Sequence, residues 1–257
     1  MKTLYSLVCI VAMTIMFSYS VRANSGGIIG QSQSGCGTCH GGAQSANTAV
    51  NVLPLGTTSI SMTPGETRNF QIGVAHASAP TSGVNISIVN AGGANVGTFT
   101  AGTGLRLSNG QLTHSSPQPI GGTPRQTIYS FSWTAPTAAG TYTLRAAGNA
   151  VNGNGSEDSG DNWRIMNPIT INVSGLTLDA PNGGEVWCRN GTGIIKWTAA
   201  GISQVALDYN PGDGSWNPIT VVNATPGQYT WNLPSTLQPG GNYFVRVRAV
   251  GGSEVDQ

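Results

Sequence analysis

Ile128-Tyr129-Ser130-Phe131-Ser132-Trp133-Thr134-Ala135-Pro136 decides the fold class. Tyr129, Phe131 and Trp133 alternate with Ser130 and Ser132, so large apolar rings fall on one face of an extended chain and small polar groups on the other. Aromatic residues in strict alternation, ended by a proline, are the mark of a half-buried β-strand. The same period recurs on both sides. Phe70, Ile72, Val74 and His76 alternate with Asn69, Gln71, Gly73 and Ala75. Ile86 and Ile88 alternate with Asn85 and Ser87. Tyr142, Leu144 and Ala146 follow the turn at Ala135 to Gly140, and Ile165, Ile169, Ile171 and Val173 close the block. No stretch between Asn24 and Gln257 carries a helical period. Many short strands with frequent turns predict a β-sandwich over roughly Asn51 to Ser174.

A second unit is expected from Gly175 to Gln257. Leu176 to Leu178, Glu185 to Cys188, Ile194 to Thr198, Val205 to Tyr209, Ile219 to Val222, Tyr229 to Trp231 and Tyr243 to Val250 read as its strands, enough for a small immunoglobulin-like sandwich. The fold class is therefore all-β: two sandwich units preceded by a glycine-rich segment, Asn24 to Val50.

The first residues set the compartment. Lys2 precedes an apolar run from Leu4 to Phe17, and Val21-Arg22-Ala23 offers small residues for cleavage before Asn24. Residues 1–23 read as a secretory signal peptide, with Cys9 inside it, and the run is too short for a good membrane span. Charged residues are 8% of the chain, against roughly 25% in an average globular protein. Removing Lys2 and Arg22 leaves nine basic and ten acidic side chains, a formal charge of −1. Without a basic patch, nucleic acid is excluded as a partner. An extracytoplasmic location is expected: periplasm, cell surface or secreted.

The glycine-rich segment holds Cys36-Gly37-Thr38-Cys39-His40. Two cysteines two apart, followed at once by histidine, read as a c-type haem attachment site. The thiols would join the two vinyl groups of the porphyrin, and the next residue would present an imidazole to the iron. Gly35, Gly37, Gly41 and Gly42 would let the backbone lie close to the macrocycle. A Cys36–Cys39 disulfide in an oxidising compartment, a zinc half-site and a redox dithiol are the competing readings. Cys188 stands alone beside Trp187 and reads as a small buried hydrophobe.

Two family resemblances add to this. Residues 24–174 resemble the bacterial choice-of-anchor V domain, which is related to reeler-type domains. The resemblance is carried by the Cys-x-x-Cys-His run, Thr63-Pro64-Gly65-Glu66-Thr67, Leu112-Thr113-His114, Phe131-Ser132-Trp133-Thr134-Ala135-Pro136, Ala146 to Gly155, and Ser159-Gly160-Asp161. It implies an extracytoplasmic β-sandwich with one haem c. The stretch Asn90 to Leu107 departs from it by lacking an aromatic-rich strand. Residues 176–257 are similar to the Kre9/Knh1-type Ig-like domain through Pro181-Asn182-Gly183-Gly184-Glu185-Val186-Trp187, Ile195-Lys196-Trp197-Thr198, Tyr229-Thr230-Trp231-Asn232-Leu233-Pro234 and Tyr243-Phe244-Val245-Arg246-Val247. That implies a surface or cell-wall module, with a cell-wall or surface glycan as a candidate partner. Members of that family continue into a further strand, so a truncated unit is expected at Gln257.

With His40 as proximal ligand, the second iron ligand is sought among His114, His76, Met62 and Met166, with an open face as the other choice. His114 matches a histidine of the family pattern; His76 is the fallback. Glu157, Asp158 and Asp161 with Asn149, Asn152 and Asn154 offer oxygen at near-alternating spacing, as calcium needs, but without the EF-hand spacing; an Asx-rich loop capping its own backbone is the simpler reading. No serine–histidine–acid set, paired carboxylates or phosphate loop appears. The expectation is a monohaem c-type cytochrome unit for one-electron transfer with an unknown redox partner. The alternatives are a non-catalytic structural or adhesive surface protein with a Cys36–Cys39 disulfide, and a haem sensor or peroxidase-like enzyme with an open distal site.

Overall fold

The structure, a computed structural model, describes residues 24–252 and 254–257. The expected signal peptide, 1–23, lies outside the described residues. Half of the described residues are in strands and 3% are in helices.

The first sandwich packs two sheets. One has the order β1 (Thr48–Leu53), β3 (Thr67–His76), β9 (Gln126–Thr134) and β5 (Thr98–Ala101). The other runs β2 (Ser59–Met62), β12 (Ile169–Val173), β10 (Gly140–Val151), β4 (Thr81–Val89), β7 (Gln111–His114) and β6 (Leu105–Ser108), with β8 (Gln118–Pro119) on β4 and β11 (Asn162–Ile165) on β10. The alternating rings do what their spacing requires. Tyr129, Phe131 and Trp133 are all buried in one core with Phe70, Ile72, Ile86, Ile88 and Leu144. Phe70 stacks on Phe131 with centroids 5.5 Å apart, and Trp133 Nε1 donates to Val96 O at 2.9 Å. Each such side chain stabilises by about 1.5–3 kcal/mol through removal from water. In the stretch Asn90 to Leu107 the structure forms two short strands; Phe99 supplies its one buried ring, edge-on to Phe131 at 5.6 Å.

One face of the second sheet departs from simple alternation. Every residue of β4 from Ser82 to Val89 is buried, as is Ala146 to Ala150 of β10. The outer face of these strands is covered by the lead segment. Asn85 Oδ1 accepts the backbone N–H groups of Gln31 and Ser32, both at 2.8 Å, and Ser32 Oγ lies 2.7 Å from Ser87 Oγ. Arg106 donates to the carbonyls of Gly26 and Gly27, each at 2.8 Å. Farther along, Ser45 N donates to Trp163 O at 2.9 Å. The segment is thus held at both ends. It contains two single-turn helices, α1 (Gln31–Ser34) and α2 (Gly37–His40), which are too short to give a readable period.

β12 passes into β13 (Gly175–Ala180) with only Ser174 between. β13 pairs with β14 (Thr192–Ala200) and β14 with β17 (Gln228–Asn232); a second sheet runs β16 (Asn217–Asn223), β15 (Gln204–Asn210), β18 (Phe244–Ala249) and β19 (Val255–Asp256). A separate core gathers Ile195, Trp197, Val205, Leu207, Trp231, Val245 and Val247. Glu185 to Cys188 is not a strand. Glu185 turns back to accept from the N–H groups of Asn182 and Gly183, and a tight turn follows, in which Gly191 N donates to Cys188 O at 2.9 Å. Cys188 is exposed, not the buried hydrophobe expected, because its segment never joins a sheet.

Candidate haem-binding site

Between the lead segment and the outer face of β4, β7 and β10 lies a cleft of about 340 Å³, within the range of about 300–1,000 Å³ usual for small-molecule and cofactor sites. Cys36, Cys39, His40, His114, Asn149 and Asp161 all line it.

The Cys36 to His40 run is one helical turn. His40 N donates to Cys36 O at 3.0 Å. Positions three and four apart share a helix face, so Cys36, Cys39 and His40 lie on one side of the turn. The turn rests on Trp163 of β11. A Cβ on Gly35 or on Gly37 would run into the Trp163 indole, whose Nε1 donates to Gly41 O at 3.1 Å. The close backbone approach expected of these glycines is therefore real at 35 and 37, but the partner is an indole.

Cys36 and Cys39 are free thiols, so the disulfide of the competing reading is not formed. Burial, with Cys39 beside it, pushes the Cys36 thiol up to about 12. Among the described residues no group of three or more His, Cys, Asp and Glu stands ready for a metal ion.

The two histidines are held differently. His40 Nδ1 lies 2.6 Å from Asp161 Oδ2, and the Asp161 side chain is 1% exposed. Asp161 Oδ1 accepts from Asn152 N at 3.1 Å. His114, at the end of β7, has Nδ1 3.1 Å from Val84 N and 3.3 Å from Val84 O. Its ring lies against Gly83, where a Cβ would come within 2.5–2.9 Å of the imidazole. Burial pushes the His114 pKa below its ordinary value; the Val84 hydrogen bond opposes the shift, and Arg106 and His40 add to it. Asn149 Oδ1 is buried without a partner. His76 ends β3, accepts from Ser78 N and Ala79 N at its Nδ1, and does not line the cleft. Met62 and Met166 are buried in the sandwich core.

The donor set fits a haem c. Two free thiols and one imidazole share a helix face, and a second imidazole lines the same cleft; His40 donates from Nδ1 to Asp161, whereas His114 accepts the Val84 N–H at Nδ1. Gly83 supplies the space in which the second ring lies. Asp158, Asn152 and Asn154 bond to one another and to local backbone: Asp158 Oδ1 accepts from Asn152 Nδ2 at 3.1 Å and Gly160 N at 2.7 Å, and Asp158 Oδ2 from Asn154 Nδ2 at 2.6 Å. The residues the sequence did not single out for this site are Trp163, Gly83 and Val84; Asp161 was noted only among loop oxygens and in the motif Ser159-Gly160-Asp161.

No family model matches the chain, and no curated protein matches it. Among solved structures it is similar to a non-cellulosomal cohesin from the hyperthermophilic archaeon Archaeoglobus fulgidus, at 10% identity over 50% of this chain and 91% of that one, TM-score 0.29. It is similar to the CARDB domain of a Pyrococcus furiosus protein, described in complex with di-metal ions, at 14% identity over 51% and 93%, TM-score 0.27. A third likeness is to the N-terminal eight Ig domains of Down Syndrome Cell Adhesion Molecule, at 13% identity over 82% and 27%, TM-score 0.24. These scores are low, and the β-sandwich assignment rests on the chain's own sheets and cores.

Proposed function

We propose that the chain is an extracytoplasmic β-sandwich protein that carries one haem c and transfers single electrons. The observation that supports this reading is the meeting of His40 and His114 in one cleft beside the free thiols of Cys36 and Cys39. Cys36 and Cys39 would hold the porphyrin, with His40 as proximal and His114 as distal ligand. When bound, the haem supplies a one-electron Fe(III)/Fe(II) couple. The protein's part is to orient two imidazoles. His114 accepts the Val84 N–H at Nδ1 at 3.1 Å, so ligation through Nε2 would require the other tautomer, in which Nδ1–H donates to Val84 O at 3.3 Å. Two histidine ligands leave no open position, which favours electron transfer over O₂ chemistry.

A second reading, a structural or adhesive surface protein without redox activity, draws support from the two-sandwich architecture and from the cohesin and cell-adhesion names among the similar structures. A pyridine haemochrome spectrum of protein made alongside a haem-ligation system separates the two. The spectrum of haem c, one per chain, is expected. Protein that folds and carries no haem would turn the assignment to the surface reading.

A further inference from the structure

We infer that Asp161 is the positioning residue that fixes the tautomer of His40, so that Nδ1 carries the proton and Nε2 is left bare toward the cleft. The inference deepens the haem reading and rests on it for its purpose, but the hydrogen bond it concerns is a property of the protein alone.

The geometry is specific about direction. Asp161 is 121 residues from His40 in sequence, yet its Oδ2 lies 2.6 Å from His40 Nδ1. A carboxylate only accepts, so Nδ1 must be the donor. In neutral imidazole one nitrogen carries the proton and the other does not, so Nε2 is the unprotonated one. Asp161 itself cannot turn away. Its side chain is 1% exposed, and its second oxygen is held by the backbone N–H of Asn152 at 3.1 Å. That bond comes from Asn152, just past β10, whose last strand residues line the cleft. The sandwich therefore reads out the orientation of an imidazole carried by the lead segment. Outer partners of this kind fix the ring and raise the basicity of a ligating histidine.

The Asn152 contact makes the obvious variant informative. In Asp161→Asn the backbone N–H of Asn152 keeps the amide oxygen, so the amide NH₂ turns to His40. It can only donate to Nδ1, which moves the imidazole proton to Nε2, the wrong place for ligation. Asp161→Glu, an acceptor at both oxygens, should restore the original tautomer in part.

The test uses the full mature chain, first without haem. Imidazole ¹⁵N shifts are recorded in solution alkaline enough for neutral rings. The unaltered chain is expected to favour Nδ1–H at His40 by about tenfold or more, as a hydrogen bond to a charged acceptor supplies. Asp161→Asn should reverse the preference, and Asp161→Glu should return toward the original. His114, bonded to Val84, should not change in any of them. In haem-loaded protein Asp161→Asn should weaken the His40–iron bond by about 10–100-fold, seen as loss of the low-spin spectrum. Unchanged Nδ1–H preference in Asp161→Asn would overturn the inference, with or without haem. Failure of all three proteins to take up haem would instead sink the cytochrome reading, and the ¹⁵N result would still decide the role of Asp161.

Discussion

Gly83→Ala is the most exacting test of the cleft's construction. A methyl at position 83 would stand 2.5 Å from Cε1 of His114, 2.8 Å from Nδ1 and 2.9 Å from Nε2. Carbon contacts settle at about 3.5–4.0 Å, so the ring must swing by about 1 Å. The swing breaks its link to Val84, whose N–H lies 3.1 Å from Nδ1 in a buried sheet. A buried N–H left without a partner costs about 1–3 kcal/mol. Alanine recovers roughly 0.5–1 kcal/mol over glycine in backbone entropy. The net expectation is a loss of about 1–2 kcal/mol, or roughly 2–8 °C in the unfolding of the first sandwich. Gly121 supplies the control: a Cβ there meets nothing within 4 Å, so Gly121→Ala should stay within about 0.5 kcal/mol. Urea unfolding followed by tryptophan fluorescence reads both. Haem-loaded Gly83→Ala should also turn partly high-spin. Equal stability of Gly83→Ala and the unaltered chain, with unchanged spin state, would refute the placement of His114.

Trp163→Ala removes the 6%-exposed indole on which the Cys36 to His40 turn rests; a loss of about 3–5 kcal/mol is expected, with protease cleavage appearing first between residues 36 and 42 on mass analysis of the fragments. Asp208 is the acid whose pH effect should be readable in the second sandwich. Burial pushes its carboxyl up, but the hydrogen bonds and charges of Arg248 and Arg246, at 2.7 and 2.9 Å, outweigh this and hold it below its ordinary value. A depressed folded-state pKa contributes stability above the unfolded value of about 3.9 and loses it as pH falls through the folded one. Denaturation midpoints of the second sandwich should therefore drop below about pH 4, and Asp208→Asn should flatten that drop while lowering stability at pH 7.

The fold was legible because rings at 129, 131 and 133 and aliphatics at 70, 72 and 74 demand a buried face at period two. What the period could not reveal was the second covered face. Asn85 and Ser87 read as solvent-facing because they alternate with Ile86 and Ile88, yet both are buried. They are covered by a segment that docks on them through hydrogen bonds, and a bonded polar group can be buried at little cost. The Cys-x-x-Cys-His run was legible outright. Asp161, Gly83 and Trp163 were not, since each acts on the site through strands remote in sequence. Glu185 to Cys188 misled because Val186 and Trp187 mimic a strand, while the Glu185 carboxylate caps a loop.

The proposed electron transfer depends on covalent haem at Cys36 and Cys39. The direct measurement is the intact mass and Soret absorbance of unfolded protein produced with a haem-ligation system, beside the Cys36→Ala, Cys39→Ala double variant. A gain of about one haem mass and a Soret band that survives denaturation are expected, both lost in the double variant. An unfolded chain with no haem mass, or one lighter only by the two hydrogens of a disulfide, would contradict the proposal.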